Sequence, residues 1–209
     1  MSSETTAIAA PIASPTPADA DQHLDHQEHH PLHSRWTLSY NGPIKNKKDW
    51  NANVKNVMTF GTVEEFWGLY NNIPKVDDLA NQSDYNLFRE GIFPGWEDDA
   101  NREGGKWLIN IPGHDLQGLG RMWLESCLFA IGEAFEDPNQ VCGIVVSVRE
   151  RGHKLCLWTR DASSDEVTKA LGKAWKEALE LHDKLIKYSF HSESLQTQRS
   201  FPKGDAYAI

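Results

Sequence analysis

The sequence predicts an α+β domain, a curved and mostly antiparallel sheet with helices on one face, and three observations carry that expectation. Seven short runs read as strands, with apolar and polar side chains alternating along them. Only three segments carry helical spacing, so the strands come in runs rather than in regular alternation with helices. The chain has 209 residues, 39% of them apolar, enough for one domain with a sizeable core and cramped for two.

In chain order, residues 1–29 are rich in Ala, Ser, Thr, Pro and acids, without apolar periodicity, and read as a disordered acidic tail. Residues 30–209 read as the folded domain, with about the last 15 residues flexible. The expected strands are Trp36–Tyr40, Val54–Phe60, Tyr85–Phe88, Trp107–Ile111, Val141–Arg149, Lys154–Arg160 and Leu185–His191. Thr62-Val-Glu-Glu65 forms a capping box that opens a first helix, which runs to about Asn72. A second helix covers about Leu119–Phe135. The third opens at Ser163, with Glu166 as its capping partner, and continues through Val167, Ala170, Leu171, Ala174, Trp175, Ala178 and Leu179.

Charge and motifs remove several function classes. Twenty-one basic residues face 30 acidic ones, a net charge of −9 that argues against gripping long nucleic acid by its phosphates. Residues 1–29 hold five acids and no Lys or Arg, so 25 acids against 21 bases leave −4 on the rest, where local basic patches can form. Three cysteines (Cys127, Cys142, Cys156) without CxxC spacing make a disulfide framework or a cysteine-rich zinc site a poor expectation. No apolar run reaches the roughly 20 residues of a membrane span, and no secretory signal opens the chain. The G-x-S-x-G, Walker A and G-x-G-x-x-G motifs are missing from the sequence, and Gly104-Gly-Lys106 lacks the first glycine of a P-loop. The histidines at 23, 26, 29, 30 and 33 read either as a metal tract or as a solvated tail; disorder enforces no ligand geometry, which favours the tail. Glu97-Asp98-Asp99 has no second set of oxygen ligands at a suggestive spacing, so no metal and no cofactor is expected.

The positive signals are aromatic and cationic. Eight tryptophans exceed what a core of this size needs, so some belong to a surface that uses them. In the hairpin 141–160, alternation groups Val141, Gly143, Val145, Ser147 and Arg149 on one face, and Lys154, Cys156, Trp158 and Arg160 on one face of the returning strand. A four-residue loop, Glu150–His153, makes Arg149 and Lys154 cross-strand neighbours, a destabilising pair unless both splay into water or an anion sits between them and Arg151. Trp158 beside those cations suits a nucleotide. Trp50 and Trp96 fall in polar loops, where an indole either folds back on the core or offers its face to a ligand.

The residues His30-Pro-Leu32, Trp36, Trp50-x-x-Asn53, Thr62-Val-Glu-Glu-Phe-Trp67, Leu69-Tyr-Asn71, Tyr85-x-Leu-Phe88, Gly91-Ile92, Trp96-Glu-Asp98, Gly104-Gly-Lys-Trp107, Trp123-Leu-Glu125, Ile131-Gly-Glu133, Cys142-Gly143, Val148-Arg149, Lys154 and Trp158-Thr159 stand in uninterrupted order over about 30–191. In that pattern the chain resembles the eukaryotic translation initiation factor 4E family of messenger-RNA cap-binding proteins. The resemblance implies a curved eight-stranded antiparallel sheet with three helices on its convex face and a cap pocket on its concave side. It implies stacking of 7-methylguanine between Trp50 and Trp96, where the methylated base adds a cation–π term. Glu97 would accept from the guanine N1–H and N2–H₂, and Trp158 would contact the N7-methyl group. Arg149 and Lys154 would hold the phosphates, with Lys106 and Arg151 as outer contacts.

A second surface has its own pattern. Phe66, Leu69, Tyr70 and Ile73 form one helix stripe, with Val63 and Trp67 on its shoulder. The next helix carries two stripes, Trp123, Cys127, Ala130, Ala134 and Leu124, Leu128, Ile131, Phe135, of which the core needs one. The shoulders are either part of a fully buried helix pair or a groove. By resemblance they form the groove that takes a Tyr-x-x-x-x-Leu-Φ helix from scaffold factor 4G or from 4E-binding proteins, here through His30, Pro31, Val63, Trp67, Leu124, Glu125 and Leu128. The function implied is a cytoplasmic, monomeric, non-enzymatic factor, compatible with a nuclear fraction, that binds capped mRNA and recruits the scaffold. A cap-binding translational repressor of the same family is the alternative. Ser39 stands where the family pattern has an aromatic residue, and Gly95 where it has a bulkier one, so that a looser loop is expected at Trp96.

Overall fold

All seven expected strands form, and each pairs antiparallel with its neighbours. The computed structural model describes residues 29–43, 50–197 and 206–209; the tail expected over 1–29 lies outside the described residues except for His29. The strands are β1 (Pro31–Asn41), β2 (Lys55–Thr62), β3 (Asp84–Arg89), β4 (Gly105–Ile111), β5 (Val141–Ser147), β6 (His153–Thr159), β7 (Lys187–Phe190) and β8 (Tyr207–Ala208). They build one eight-stranded sheet in the order β2-β1-β3-β5-β6-β4-β7-β8. The eighth strand falls inside the stretch expected to be flexible. It is two residues long, too short to show a period, and Ile209 and Ile186 exchange backbone hydrogen bonds of 3.0 and 3.1 Å beside it.

Three longer helices, α2 (Val63–Asn72), α4 (Leu116–Ile131) and α5 (Asp165–Ala178), join the main core with the sheet's convex face. Three short ones, α1 (Trp50–Asn53), α3 (Asp99–Arg102) and α6 (His191–Thr197), were not expected. The capping box of α2 is present: the Thr62 hydroxyl accepts from the Glu65 N–H at 3.1 Å, and the Glu65 carboxylate reaches back to the Gly61 N–H at 2.7 Å. α4 starts earlier than expected because Asp115 caps the N–H of Gly118, and it ends at Ile131 because Glu133 takes a left-handed φ of 48°. Phe135 is thereby outside the helix. α5 is capped by Ser164 rather than Ser163, since Asp161 takes the Ser163 N–H at 2.7 Å and holds that residue out of the helix.

Four tryptophans (Trp36, Trp107, Trp123, Trp175) lie in the main core, which accounts for half of the eight. Two of them keep their indole N–H satisfied, Trp107 on the Thr168 carbonyl at 3.0 Å and Trp175 on the Ser126 hydroxyl at 2.9 Å. α5 approaches the sheet so closely that a Cβ at Gly172 would stand 2.4 Å from the Trp107 ring. A fully buried indole has nowhere to retreat. Gly172→Ala is therefore expected to destabilise the fold by about 1–3 kcal/mol, the cost of overpacking. Urea unfolding checks this, and an unchanged midpoint would show that α5 can shift freely on the sheet.

Candidate ligand trough and convex groove

The register of the central strands places side chains in rows across the concave face. Phe88, Gly143, Trp158, Lys106 and Ser189 are successive cross-strand partners, and so are Asn86, Val145, Cys156 and Leu108. A third row runs Asp84, Ser147, Lys154 and Asn110. Trp158 and Lys154 share this face four residues apart on one strand, about 13 Å. The trough thus grades from an aromatic end to a cationic one.

At the aromatic end, Phe88, Cys142, Cys156 and Trp158 are buried in a second apolar cluster, with Trp96, Ile92, Leu108 and Val145 packed against it. Phe88 meets the Trp158 ring edge-on at 5.4 Å, and the buried His191 ring lies 4.1 Å from the Trp158 ring. Burial holds His191 well below the usual histidine range, and the nearby Lys106 charge adds to that. Val141 does not share the face of Gly143 as expected. A register shift between them turns Val141 into the main core and Cys142 toward the trough.

The loop that carries Trp96 is tied down rather than loose. The Asn101 side chain, buried, donates to the Phe93 and Gly95 carbonyls at 2.9 and 2.8 Å. Asp98 accepts from the N–H groups of Phe93 and Ala100, both at 2.9 Å, and Asp99 pairs with Arg102. Two carboxylates of the acidic run are thus engaged in loop and helix geometry, while Glu97 is exposed. A Cβ at Gly95 would come within 2.9 Å of the Phe93 ring and of the Glu97 carboxylate, so the small residue here permits tight folding of the loop. Trp50 opens α1 instead of lying in a loop; its side chain lies outside the described residues. α1 is fastened to the end of β1 by Asn53, which donates to the Gly42 carbonyl at 2.9 Å.

At the cationic end the expected opposition of Arg149 and Lys154 is corrected. β5 ends at Ser147, so Lys154 faces Ser147, and Arg149 lies in the connecting loop. Its guanidinium donates to Asp84 at 2.7 Å and to the Ser83 and Val148 carbonyls at 3.0 and 2.9 Å. The Arg149 N–H donates to His153 Nδ1 at 3.1 Å, which leaves Nε2 to donate to the Gly113 carbonyl at 3.0 Å. Burial, with Arg149 nearby, lowers Lys154 from the ordinary lysine value. Arg151 is exposed at the loop tip. Lys106 is not at an outer position: it is only 2% exposed, on the row of Trp158.

Ser39, in place of an aromatic residue, is buried in a polar set on β1 and β3. The Asn86 side chain donates to Asn41 at 2.8 Å and to Ser39 at 3.3 Å. Asp84, Asn101 and His191 matter to the trough and carry no sequence signal of their own. Asp84 could have been suspected only from its place one residue before the Tyr85-x-Leu-Phe88 strand.

On the convex side, α2 and α4 share a crevice lined by Phe66, Leu69, Trp123 and Cys127, which are core residues as their stripes imply. Trp67 stays 37% exposed, its ring packed against Phe66 and Tyr70 at 5.1 and 5.8 Å. Val63 and, on α4, Leu128 are also exposed; Leu124 is half-buried, and Ile131 and Phe135 turn inward. The His30 N–H and ring bind Glu64 at 3.0 and 2.7 Å, and the Val63 N–H donates to the His30 carbonyl at 2.9 Å, so His30 and Pro31 are clipped to the start of α2. That hydrogen bond from His30 is the largest of the effects that hold the Glu64 carboxyl down at about 2. Glu125 is held by Arg121 at 2.8 and 2.9 Å. Among the described residues no helix is long and apolar enough to cross a membrane.

Comparison with known proteins agrees along nearly the whole chain. The family model described as eukaryotic initiation factor 4E matches residues 31–205. An isoform 4E-2 initiation factor from Oryza sativa subsp. japonica is 39% identical over 206 residues, 96% of this chain and 98% of the relative. Human initiation factor 4E is 38% identical over 214 aligned positions, covering 94% and 97%. The structure is similar to C. elegans eIF4E-3 in complex with the 4E-binding protein Mextli and a cap analog, with a TM-score of 0.79, 39% identity and coverage of 87% and 99%. It is also similar to Ascaris suum eIF4E-3 with m7G cap, with a TM-score of 0.78, 41% identity and coverage of 87% and 98%.

Proposed function

The chain belongs to the eukaryotic initiation factor 4E family, and from that premise we propose that it binds the 7-methylguanosine 5′ cap of messenger RNA and recruits scaffold factor 4G to start cap-dependent translation. The observation that carries this reading is the graded trough, with Trp96 and Trp158 at one end and Lys154 and the Asp84-bound Arg149 at the other. The base would stack between Trp50 and Trp96, and the N7-methyl cation adds attraction to the indole faces that unmethylated guanine lacks. Glu97, exposed beside Trp96, would accept the guanine N1–H and N2–H₂. Trp158 would meet the methyl group, and the cationic end would take the triphosphate.

None of this needs a bond to be made or broken, so we read the protein as a binding factor and not an enzyme. Residues 30–209 are its binding domain and the cytoplasm its place of action. The complex of the C. elegans relative with Mextli supports a second contact for 4E-binding proteins and the scaffold. That contact would lie on the convex groove of His30, Pro31, Val63, Trp67, Leu124, Glu125 and Leu128. A repressor that binds the cap without engaging the scaffold gains no support from a groove whose anchor, Trp67, stands exposed.

The direct test is retention on immobilised 7-methyl-GTP, with elution by the free cap analogue and not by GTP. Equal elution by both would sink the reading. Within the pocket, Glu97→Gln is expected to weaken binding and to narrow the preference for guanine over adenine caps, because an amide brings one donor where two acceptors are needed. Titration with both dinucleotide caps checks it, and an equal loss for the two bases would make Glu97 a merely local residue.

A further inference from the structure

The backbone that carries Arg149 has left the sheet. Ser147 is the last residue of β5 to pair with β6, opposite Lys154. Val148 turns instead to the segment before β3, where it accepts from the Gln82 N–H and donates to the Ser83 carbonyl, both at 2.9 Å. Residues 149–152 then close a turn, with the Gly152 N–H donating to the Arg149 carbonyl at 3.2 Å. This departure takes the Arg149 N–H out of the ladder, and a backbone donor in that position needs another acceptor. Nδ1 of His153 is that acceptor, at 3.1 Å, and Nε2 of the same ring donates at 3.0 Å to the Gly113 carbonyl, on the loop between β4 and α4.

We propose that His153 is a positioning residue for the phosphate end of the trough: its ring, with the proton on Nε2, fixes the backbone of Arg149 and so sets the affinity for the phosphates while leaving the base untouched. This inference rests on the cap-binding reading and adds to it a residue that never meets the ligand.

Strand alternation keeps the ring off the ligand. His153 shares the face of Leu155 and Leu157, which lie in the main core, while Lys154, Cys156 and Trp158 take the trough face. The residue is only 3% exposed, so its ring nitrogens depend on their protein partners rather than on water. The two loops it joins are already in close contact: a Cβ at Gly113 would stand 2.3 Å from the Glu150 carbonyl oxygen. A rigid ring bonded to both loops therefore fixes how Arg149 sits relative to Gly113. From that backbone the guanidinium makes three hydrogen bonds, to Asp84, Ser83 and Val148, of the five it can donate. Its side chain stays 36% exposed, which leaves a face that a phosphate can reach.

A residue that merely filled space would act on both halves of the ligand through stability, or on neither. One that acts through the Arg149 N–H must act on the phosphates alone, and a side chain that restores the acceptor must replace it. Asparagine places its carbonyl oxygen where Nδ1 stands and gives up only the Gly113 contact. Leucine fills the space and offers neither bond.

The test is calorimetric titration of wild type, His153→Leu and His153→Asn with 7-methyl-GTP and with 7-methylguanosine, which has no phosphate. His153→Leu is expected to bind 7-methyl-GTP about three- to tenfold more weakly, the range set by a lost hydrogen bond, with its nucleoside affinity unchanged. His153→Asn is expected to stay close to wild type for both ligands. Unchanged 7-methyl-GTP affinity in His153→Leu, an equal loss for the two ligands, or an asparagine variant that loses as much as the leucine one overturns the proposal. A second measurement needs neither variant nor ligand. In nitrogen-labelled wild-type protein, the His153 ring should carry its proton on Nε2 and none on Nδ1. A proton on Nδ1 overturns the proposal independently of whether the variants fold. Failure of wild type to bind 7-methyl-GTP at all, with the ring in the expected form, would instead remove the cap-binding reading, and this inference with it.

Discussion

Trp96→Ala should lose about 1–3 kcal/mol of affinity for 7-methyl-GTP, a drop of roughly 5- to 150-fold. Stacking supplies part of this for any base, and the cation–π attraction adds the part that depends on methylation. The loop geometry argues for a clean effect. Asn101, Asp98 and Arg102 hold the Trp96 loop through backbone groups, so its course should survive without the indole. Trp50→Ala should lose a similar amount, and the double variant should fall below detection, because a base with no aromatic face on either side keeps only its edge contacts. Calorimetry is the appropriate measure, since the substitutions also remove reporters of the fluorescence quenching that 7-methyl-GTP is expected to cause. If both single variants bind as wild type does, the pocket is elsewhere.

What could be read from the sequence, and what could not, follows from the range of the interactions. Period-two alternation and side-chain caps are local, and the seven strands and the Thr62 cap appear where those patterns lie. Choices between adjacent candidates were harder. Ser163 and Ser164 both suit a helix start, and only the capture of the Ser163 N–H by Asp161 decides between them. The irregularity at Cys142 reverses the face of Val141 in a run whose residues read as one regular strand. In the trough, the residue types were legible and their partners were not. Arg149 and Asp84 are 65 positions apart, and the ion pair arises because β3 and β5 become neighbours in the sheet. Arg149 thus has its charge engaged by Asp84, a partner that no local pattern in the sequence announces. By resemblance Lys106 is an outer phosphate contact, and only the register that sets it beside Trp158 shows it buried.

Trp67→Ala should abolish capture of a Tyr-x-x-x-x-Leu-Φ peptide while leaving cap binding intact. A single exposed indole in a shallow groove often supplies about 2 kcal/mol or more of a helix-in-groove interface, close to 30-fold in affinity. Trp67 has the geometry of such an anchor. It is supported edge-on by Phe66 and Tyr70, so its ring is held in one orientation before a partner arrives. That preorganisation spares the entropy of ordering it on binding. Glu64 clips His30 onto the start of the same helix, so the rim of the proposed groove would be held in place as well. Leu128, exposed on α4, would take the partner's leucine and should matter less, being smaller and more easily replaced. The trough lies across the sheet from α2, with the main core between them, so loss of the indole has no short path to Trp96 or Lys154. Paired titrations of one preparation with cap analogue and with peptide make the measurement. Unfolded protein fails both, so retained cap binding certifies the fold. A variant that still takes the peptide at wild-type affinity would show that Trp67 only shields Phe66, and the partner surface would have to be sought on another face.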